Sequence, residues 1–432
     1  MNSIKSRLIV MNFLQFAVWG SYLTSMGTML AGLGFAKNIG IFYAMQGIVS
    51  LFMPAIIGII ADRKIQAQRL LGICHLLAAI FMAGAAYAIS SASAAPDINL
   101  LLTLYTLSVA FYMPTLALSN SVAYTALEKS GLDAVTAFPP IRVWGTVGFI
   151  CAMLLCDFAG FQATYEQFYQ SAIIGILLAG YAFTLPTCPV NSSAQKRSFV
   201  EALGLRAFAL FKEKKMAMFF IFSMLLGVSL QITNGFANTF ITSYEAIPEY
   251  ADTFAAQHAN ALISLSQVSE TLCILLIPFF LKRYGIKTVM LIAMFAWVLR
   301  FGLFGLGNPG GGVWMFILSM VVYGVAFDFF NVSGAMFVQQ EAPKSMQGSA
   351  QGLFMLMTNG IGASVGTYIA GLIVDKHCMW AGDYLVSRPE YGADGWQITW
   401  FIFAAYALVV ALAFWVLFRY KHTRKEGEML KH

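Results

Sequence analysis

Twelve stretches of predominantly apolar residues run the length of the chain, at roughly 8–33, 39–61, 70–90, 98–122, 135–157, 168–187, 216–240, 257–281, 287–306, 312–338, 347–374 and 395–419. Each is close to the ~20 residues that a helix needs to cross a bilayer. The pattern leaves few alternatives. In hydrocarbon every backbone amide must find its partner within the protein, and a lone apolar stretch does so only as a helix. Composition agrees: the 432 residues are 59% hydrophobic and 11% charged, with mean hydropathy +0.73, where a soluble domain carries about 25% charged residues. The expectation is an all-α membrane protein with twelve transmembrane helices. Lys5 and Arg7 precede the first stretch. The apolar run then continues to about Leu33 with no small-residue cleavage site, so the first helix is expected to be retained.

The sides of the membrane follow from the positive residues. With the first residues in the cytoplasm, Lys5, Arg7, Arg63, Lys64, Arg69, Lys129, Lys196, Arg197, Lys214, Lys215, Lys282, Arg283 and Lys287 all lie inside, and only Lys37, Lys376 and Arg388 outside. Twelve spans then place both termini in the cytoplasm. The net charge of +6 is spread over these short loops and not along one face, so it reads as membrane topology and not as a nucleic-acid surface. Cys74, Cys151, Cys156, Cys188, Cys273 and Cys378 lie in or beside apolar runs and form no C-x-x-C pair. No disulfide framework, metal site or cofactor is expected.

The longest inside loop, 188–215, divides the chain into an N-terminal six-helix bundle, 1–187, and a C-terminal one, 216–432, with a short cytoplasmic tail. The halves echo each other. "GIIADRKIQAQR" follows the second stretch and "FFLKRYGIK" the eighth, both tight basic turns at the equivalent place. Parallel six-helix repeats about an axis along the membrane normal are the architecture of the major facilitator superfamily. Gly58, Asp62 and Arg63 fit that superfamily's pattern in the first of these turns. There is no Walker A sequence, no H-E-x-x-H and no G-x-S-x-G, so neither ATP-driven transport nor an enzyme is indicated.

Polar side chains inside the spans are few, and such residues mark solute or ion pathways by default. Gln231 and Asn234 are three apart on the seventh span, and Gln267 and Glu270 three apart on the eighth, so each pair shares a helix face. In the tenth, "VVYGVAFDFFNVSG" carries Tyr323, Phe327 and Asn331 at four-residue steps, with Asp328 beside them as the one charge between Gly312 and Val338. In the fifth, Arg142, Thr146 and Phe149 share a face behind Pro139 and Pro140. Each has a plainer reading. The Gln231–Asn234 pair serves equally as interhelical glue. Arg142 by itself reads as a boundary anchor, Tyr323 and Phe327 as packing, and Trp144 as interfacial. Arg300 reads as the partner of a buried acid or a snorkelling side chain. Gly362 and Gly366 read as close helix packing. Glu270 and Asp328 are different, because a carboxylate costs too much to bury charged without a use. Amides, carboxylates and aromatic rings suit a polar, uncharged solute with a flat ring. Nucleosides, sugars and other polar metabolites all remain open at this point.

The stretches "FLQFAVWGSYL", "FPPIRVWGTVGF", "FIFSMLLGVSLQITN", "SQVSETLCILLIPFFLKRYGIK", "VVYGVAFDFFN" and "SAQGLFMLMTNG" resemble those of bacterial nucleoside permeases of the nucleoside–proton symporter family, from the first span to the eleventh. The resemblance implies proton-coupled import of purine and pyrimidine nucleosides across the bacterial inner membrane, by a protein expected to act as a monomer in the lipid bilayer. It implies substrate contacts at Arg142, Thr146, Phe149, Gln231, Asn234, Gln267, Glu270, Tyr323 and Phe327. The cost of burying a carboxylate itself points to Asp328 or Glu270, or both, as carrier of the coupled proton, with Arg142 or Arg300 as counter-charge; the preferred reading gives Asp328 the proton and Glu270 the ribose hydroxyls. The segments 242–256 and 375–395 carry nothing diagnostic. A symporter of a sugar or other polar solute on the same fold, and a non-transporting receptor, are the competing readings.

Overall fold

The computed structural model describes residues 2–93, 95–132, 134–188, 205–343, 347–382 and 384–420. Most of the expected loop 188–215 and the tail 421–432 lie outside the described residues. The chain forms two units, Met1–Leu203 and Gly204–His432.

In the first unit the helices are α1 (Asn2–Gly20), α2 (Met26–Gly32), α3 (Ile39–Ser50), α4 (Met53–Arg63), α5 (Ala67–Ser90), α6 (Ile98–Lys129), α7 (Ala134–Phe158) and α8 (Glu166–Ala182). Two of the six expected spans are interrupted. α1 and α2 are one span distorted at residues 21–25, where the Tyr43 hydroxyl donates to the Leu23 carbonyl at 2.6 Å. The carbonyl that regular helix would have satisfied is thus satisfied by a neighbouring helix. α3 and α4 are a second span, broken at Leu51 and Phe52 ahead of Pro54. Proline cannot donate to the preceding turn, so it sits comfortably only in a first turn. Gly58, Asp62 and Arg63 lie towards the end of α4, and the side chains of the last two lie outside the described residues.

In the second unit, after a 3₁₀ segment Leu205–Lys212, come α9 (Lys214–Thr242), the single turn α10 (Phe254–Gln257), α11 (Ala259–Leu306), α12 (Val313–Glu341), α13 (Gln347–Met355), a π-helical turn Leu356–Gly362, α14 (Ala363–His377) and α15 (Gly395–Leu417). α11 is the eighth and ninth spans together. They meet at Gly285, whose φ of 75° lies in the left-handed region that glycine enters without a Cβ clash. α13, the π turn and α14 are the eleventh span. Among the described residues eight helices are long and apolar enough to cross a membrane. α11 supplies two spans, and the interrupted first and second spans and the shorter α8 complete the expected twelve.

Segment 375–395, unremarkable as sequence, folds into a hairpin of β1 (Cys378–Ala381) and β2 (Tyr384–Ser387), antiparallel with Trp380 opposite Leu385. The hairpin is tied down at both ends. The Trp396 indole N–H donates to the Leu385 carbonyl at 2.7 Å, and Arg388 Nε donates to the Asp375 carbonyl at 2.9 Å. Below it Phe240, Phe304 and Trp400 form an aromatic core, with Phe304 and Trp400 centroids 4.7 Å apart.

The two units repeat one packing device. In the first, α1 lies on α7 so closely that a Cβ on Gly148 would stand 2.1 Å from the Phe13 carbonyl oxygen, and one on Gly20 would stand 2.4 Å from that of Phe149. In the second, α9 lies on the π turn and α14. A Cβ on Gly227 would stand 2.1 Å from the Thr358 carbonyl oxygen, and one on Gly362 2.2 Å from that of Met224. Lipid tails provide no hydrophobic drive between helices, so close backbone approach through small residues holds such pairs. The first and fifth spans of one half are thus matched by the seventh and eleventh of the other. Gly362 and Gly366 pack as their spacing indicated. The outward surface is apolar in both units, with Ile80, Leu155 and Leu177 exposed in the first and Leu275, Phe279 and Trp415 in the second. That is unremarkable for a surface that faces lipid.

Candidate functional site

The polar residues of the second unit gather on α9, the first limb of α11 and α12. α11 and α12 are clamped together. A Cβ on Gly324 would stand 2.5 Å from the Ser269 carbonyl oxygen, and the Ser269 hydroxyl donates to the Val321 carbonyl. This brings Glu270, the residue after Ser269, beside the turn that carries Tyr323 and Asp328. Tyr323 feels the charges of Glu270, Arg300 and Asp328, and the two carboxyl groups feel one another. Asp328 is 5% exposed, and its Oδ2 has no hydrogen-bond partner among the described residues. Glu270 is half-buried. A carboxyl buried as far from water as that of Asp328 is costly to hold charged without a partner.

Tyr323 and Phe327 form a parallel stack, centroids 5.7 Å apart and planes 6° apart. Trp297 meets the Tyr323 ring edge-on at 5.9 Å. Arg300 departs from both sequence expectations. It is 2% exposed, so it does not snorkel, and no acid lies within ion-pairing distance among the described residues. Instead its Nη1 donates to the Ser319 carbonyl at 2.6 Å and its guanidinium lies over the rings of Tyr323, at 4.7 Å, and Phe304, at 5.2 Å. Backbone oxygen and two π faces are what offset its burial.

On α9, Asn234 Nδ2 donates to Gln231 Oε1 at 2.8 Å. Among the described residues this is the side-chain hydrogen bond either amide makes, so the pair is bonded within one helix and does not glue two helices together. Gln267 is half-buried and makes no side-chain hydrogen bond among the described residues.

In the first unit the expected residues line α7. The Arg142 guanidinium stands 3.8 Å over the Phe16 ring, which makes it more than a boundary anchor. Thr146 is half-buried. Phe149 is buried and meets Trp19 edge-to-face at 6.3 Å. Trp144 is exposed.

Behind Trp19 lies a polar network that the sequence reading passed over. The Trp19 indole donates to Gln46 Oε1 at 3.1 Å, and Gln46 Nε2 donates to the Tyr105 hydroxyl at 2.7 Å. Gln15 Nε2 donates to Thr115 at 2.7 Å, and its Oε1 faces His75 Nε2 at 2.8 Å. Because that oxygen can only accept, His75 carries its proton on Nε2. The Tyr112 hydroxyl donates to the Gln15 carbonyl at 2.8 Å. The network joins α1, α3, α5 and α6 and fixes the wall on which Phe149 rests. Its signal was present in the sequence: Gln15, Gln46 and His75 all fall within predicted spans.

Twelve spans in two similar units, each with amides, rings and ionisable groups held inside the membrane, define a multi-pass membrane transporter of the major facilitator class. Residues 1–423 match the family described as Nucleoside H+ symporter. The chain is 45% identical to the nucleoside permease NupG of Escherichia coli over 98% of its own length and 97% of the relative's. It is also 45% identical to the xanthosine permease of that organism, over 100% and 99% of the two chains. A crystal structure of NupG superposes with a TM-score of 0.87, covering 98% of this chain and 100% of that one at 45% identity. The chain therefore belongs to the nucleoside–proton symporter family, and its relatives are permeases, not enzymes.

Proposed function

We propose that this protein imports nucleosides across the bacterial inner membrane, each driven by protons moving inward, by alternating access with contributions from both units. The observation that carries the proposal is the constellation on α11 and α12. A stacked aromatic pair, Tyr323 and Phe327, stands beside a buried acid, Asp328, which shares its surroundings with a second acid, Glu270. The rings suit a flat base and the acid pair suits a proton that binds and leaves. Asp328 carries the coupled proton, and Glu270 binds the ribose hydroxyls. Gln231, Asn234 and Gln267 complete the polar contacts from this unit; Arg142, Thr146 and Phe149 supply those from the other. The two named relatives are equally similar, so the substrate class is the one they have in common, the nucleosides. Both termini face the cytoplasm, as the positive residues require, and the protein works as a monomer.

Uptake of uridine or adenosine by proteoliposomes tests this reading. The expected result is saturable uptake that accumulates only with an inward proton gradient and is competed by other nucleosides but not by glucose. Equal competition by glucose would transfer the assignment to a sugar symporter.

A further inference from the structure

The second unit holds a small pocket bounded by α9, α11, α12 and the π turn, whose walls include Leu230, Trp297, Phe327, Asn331 and Asn359. Two of these are amides with bonding capacity to spare. Asn331 follows Phe327 by one helical step, and its Nδ2 donates to the Phe327 carbonyl at 3.0 Å. Its Oδ1 accepts no hydrogen bond among the described residues. Asn359 Nδ2 has the Met355 sulfur at 3.8 Å, a weak acceptor, and its Oδ1 likewise has no partner among the described residues. Both residues are half-buried.

The backbone is shaped to put Asn359 there. It sits in the middle of the π turn Leu356–Gly362, a feature that re-aims side chains at a cost in hydrogen-bond geometry and recurs at functional sites. The turn presses on α9 at Gly227, where the absence of a Cβ lets the Thr358 carbonyl approach and leaves that level of the wall without a side chain. What remains is an aromatic side chain, Phe327, with the amides of Asn331 and Asn359 in the same lining.

That arrangement matches the edge of a planar heterocycle. A base lying along Phe327 presents its ring N, N–H and carbonyl groups in its own plane. A carboxamide reads such an edge with one donor and one acceptor at once. A ribose has hydroxyls on a puckered ring and no flat face to lay on Phe327. We propose that Asn359, together with Asn331, contacts the base edge of the nucleoside and sets which bases the protein accepts. This rests on the nucleoside reading above and adds to it a discriminating role apart from ribose and proton binding.

The test compares the full-length protein, Asn359→Leu and Asn359→Asp in proteoliposomes under one fixed pH gradient. The probes are adenosine, inosine, uridine and cytidine, which share a ribose and differ at the base edge. Leu is close in size and removes donor and acceptor; Asp keeps the shape and removes the donor. The expected result is that the KM ratios among the four change by about five-fold, the worth of one hydrogen bond, with gradient dependence retained. Asp is expected to favour bases that present an amino group. If all four KM values move by one common factor, or none moves, Asn359 does not read the base. Should the Leu variant fail to insert, Asn359→Asp and Asn331→Leu carry the same comparison. Absence of uptake of all four by the unaltered protein would instead overturn the nucleoside reading beneath.

Discussion

Replacing Asp328 by Asn would remove the proposed proton site and little else. The two side chains have the same shape. The carboxyl is 5% exposed, and its Oδ2 has no hydrogen bond to lose among the described residues. The cost to the fold is that of amide hydrogens with nowhere to donate, about 1–3 kcal/mol, against a typical stability of roughly 5–15 kcal/mol. The cost to transport is of another kind. One pH unit is worth 1.36 kcal/mol per proton, so a one-proton symporter working against a gradient of one unit concentrates its substrate about tenfold. Asp328→Asn is expected to bring that ratio to one while retaining exchange of labelled for unlabelled nucleoside across the same membrane. Proteoliposomes loaded at fixed internal pH, with the external pH stepped by one unit, measure both quantities in one preparation. If the variant still concentrates uridine in proportion to the imposed gradient, Asp328 is not the carrier. The same measurement on Glu270→Gln then decides whether the other acid of the pair is.

Gln231→Ala and Asn234→Ala each break the 2.8 Å bond between them, so the double variant should weaken nucleoside binding by less than the sum of the two, with a coupling of about 0.5–1.5 kcal/mol; strict additivity by calorimetry would mean that the amides act separately. Phe327→Ala and Phe149→Ala should weaken binding of nucleosides more than competition by free ribose, and equal loss would count against a stacked base. Gly227→Ala drives a methyl group against the Thr358 carbonyl and should lower the melting temperature in detergent by the equivalent of about 1–3 kcal/mol. Gly302→Ala, with nothing within 4 Å of the new Cβ, should leave it unchanged or raise it.

Hydropathy marked all twelve spans because length and apolar content are summed over about 20 residues and survive local irregularity. For that same reason it could not show where spans break. The distortion after Gly20, the interruption at Leu51 and Phe52 and the π turn at Leu356–Gly362 all lie within uniformly apolar sequence. Their causes are tertiary: Tyr43 taking up a freed carbonyl, or Gly227 admitting the Thr358 carbonyl. The hairpin at Cys378–Ser387 was illegible for a different reason. Its strands are four residues each, too short for alternation to register, and it is held by Trp396 and Arg388 from outside. Helical spacing put Tyr323 with Phe327 on α12, where they stack, and put Arg142 and Phe149 on the face of α7 that meets Phe16 and Trp19 of α1. Spacing cannot show that Gln231 and Asn234 bond to each other, or that Arg300 lies under Tyr323 and not against an acid. Nor does it rank Gln15 or His75, whose importance comes from partners 100 and 60 residues away.

The single-residue junction at Gly285 bears on how a buried cation is held. A charged side chain within a span is costly unless it finds polar partners. The first limb of α11 carries Ser266, whose hydroxyl stands 3.5 Å from Arg300 Nη1. With Gly285 alone between them, the two limbs lie close enough for that contact, while the shorter bond, to the Ser319 carbonyl, comes from α12. A glycine at the membrane surface thus helps keep a guanidinium supported from the span before it and the span after it.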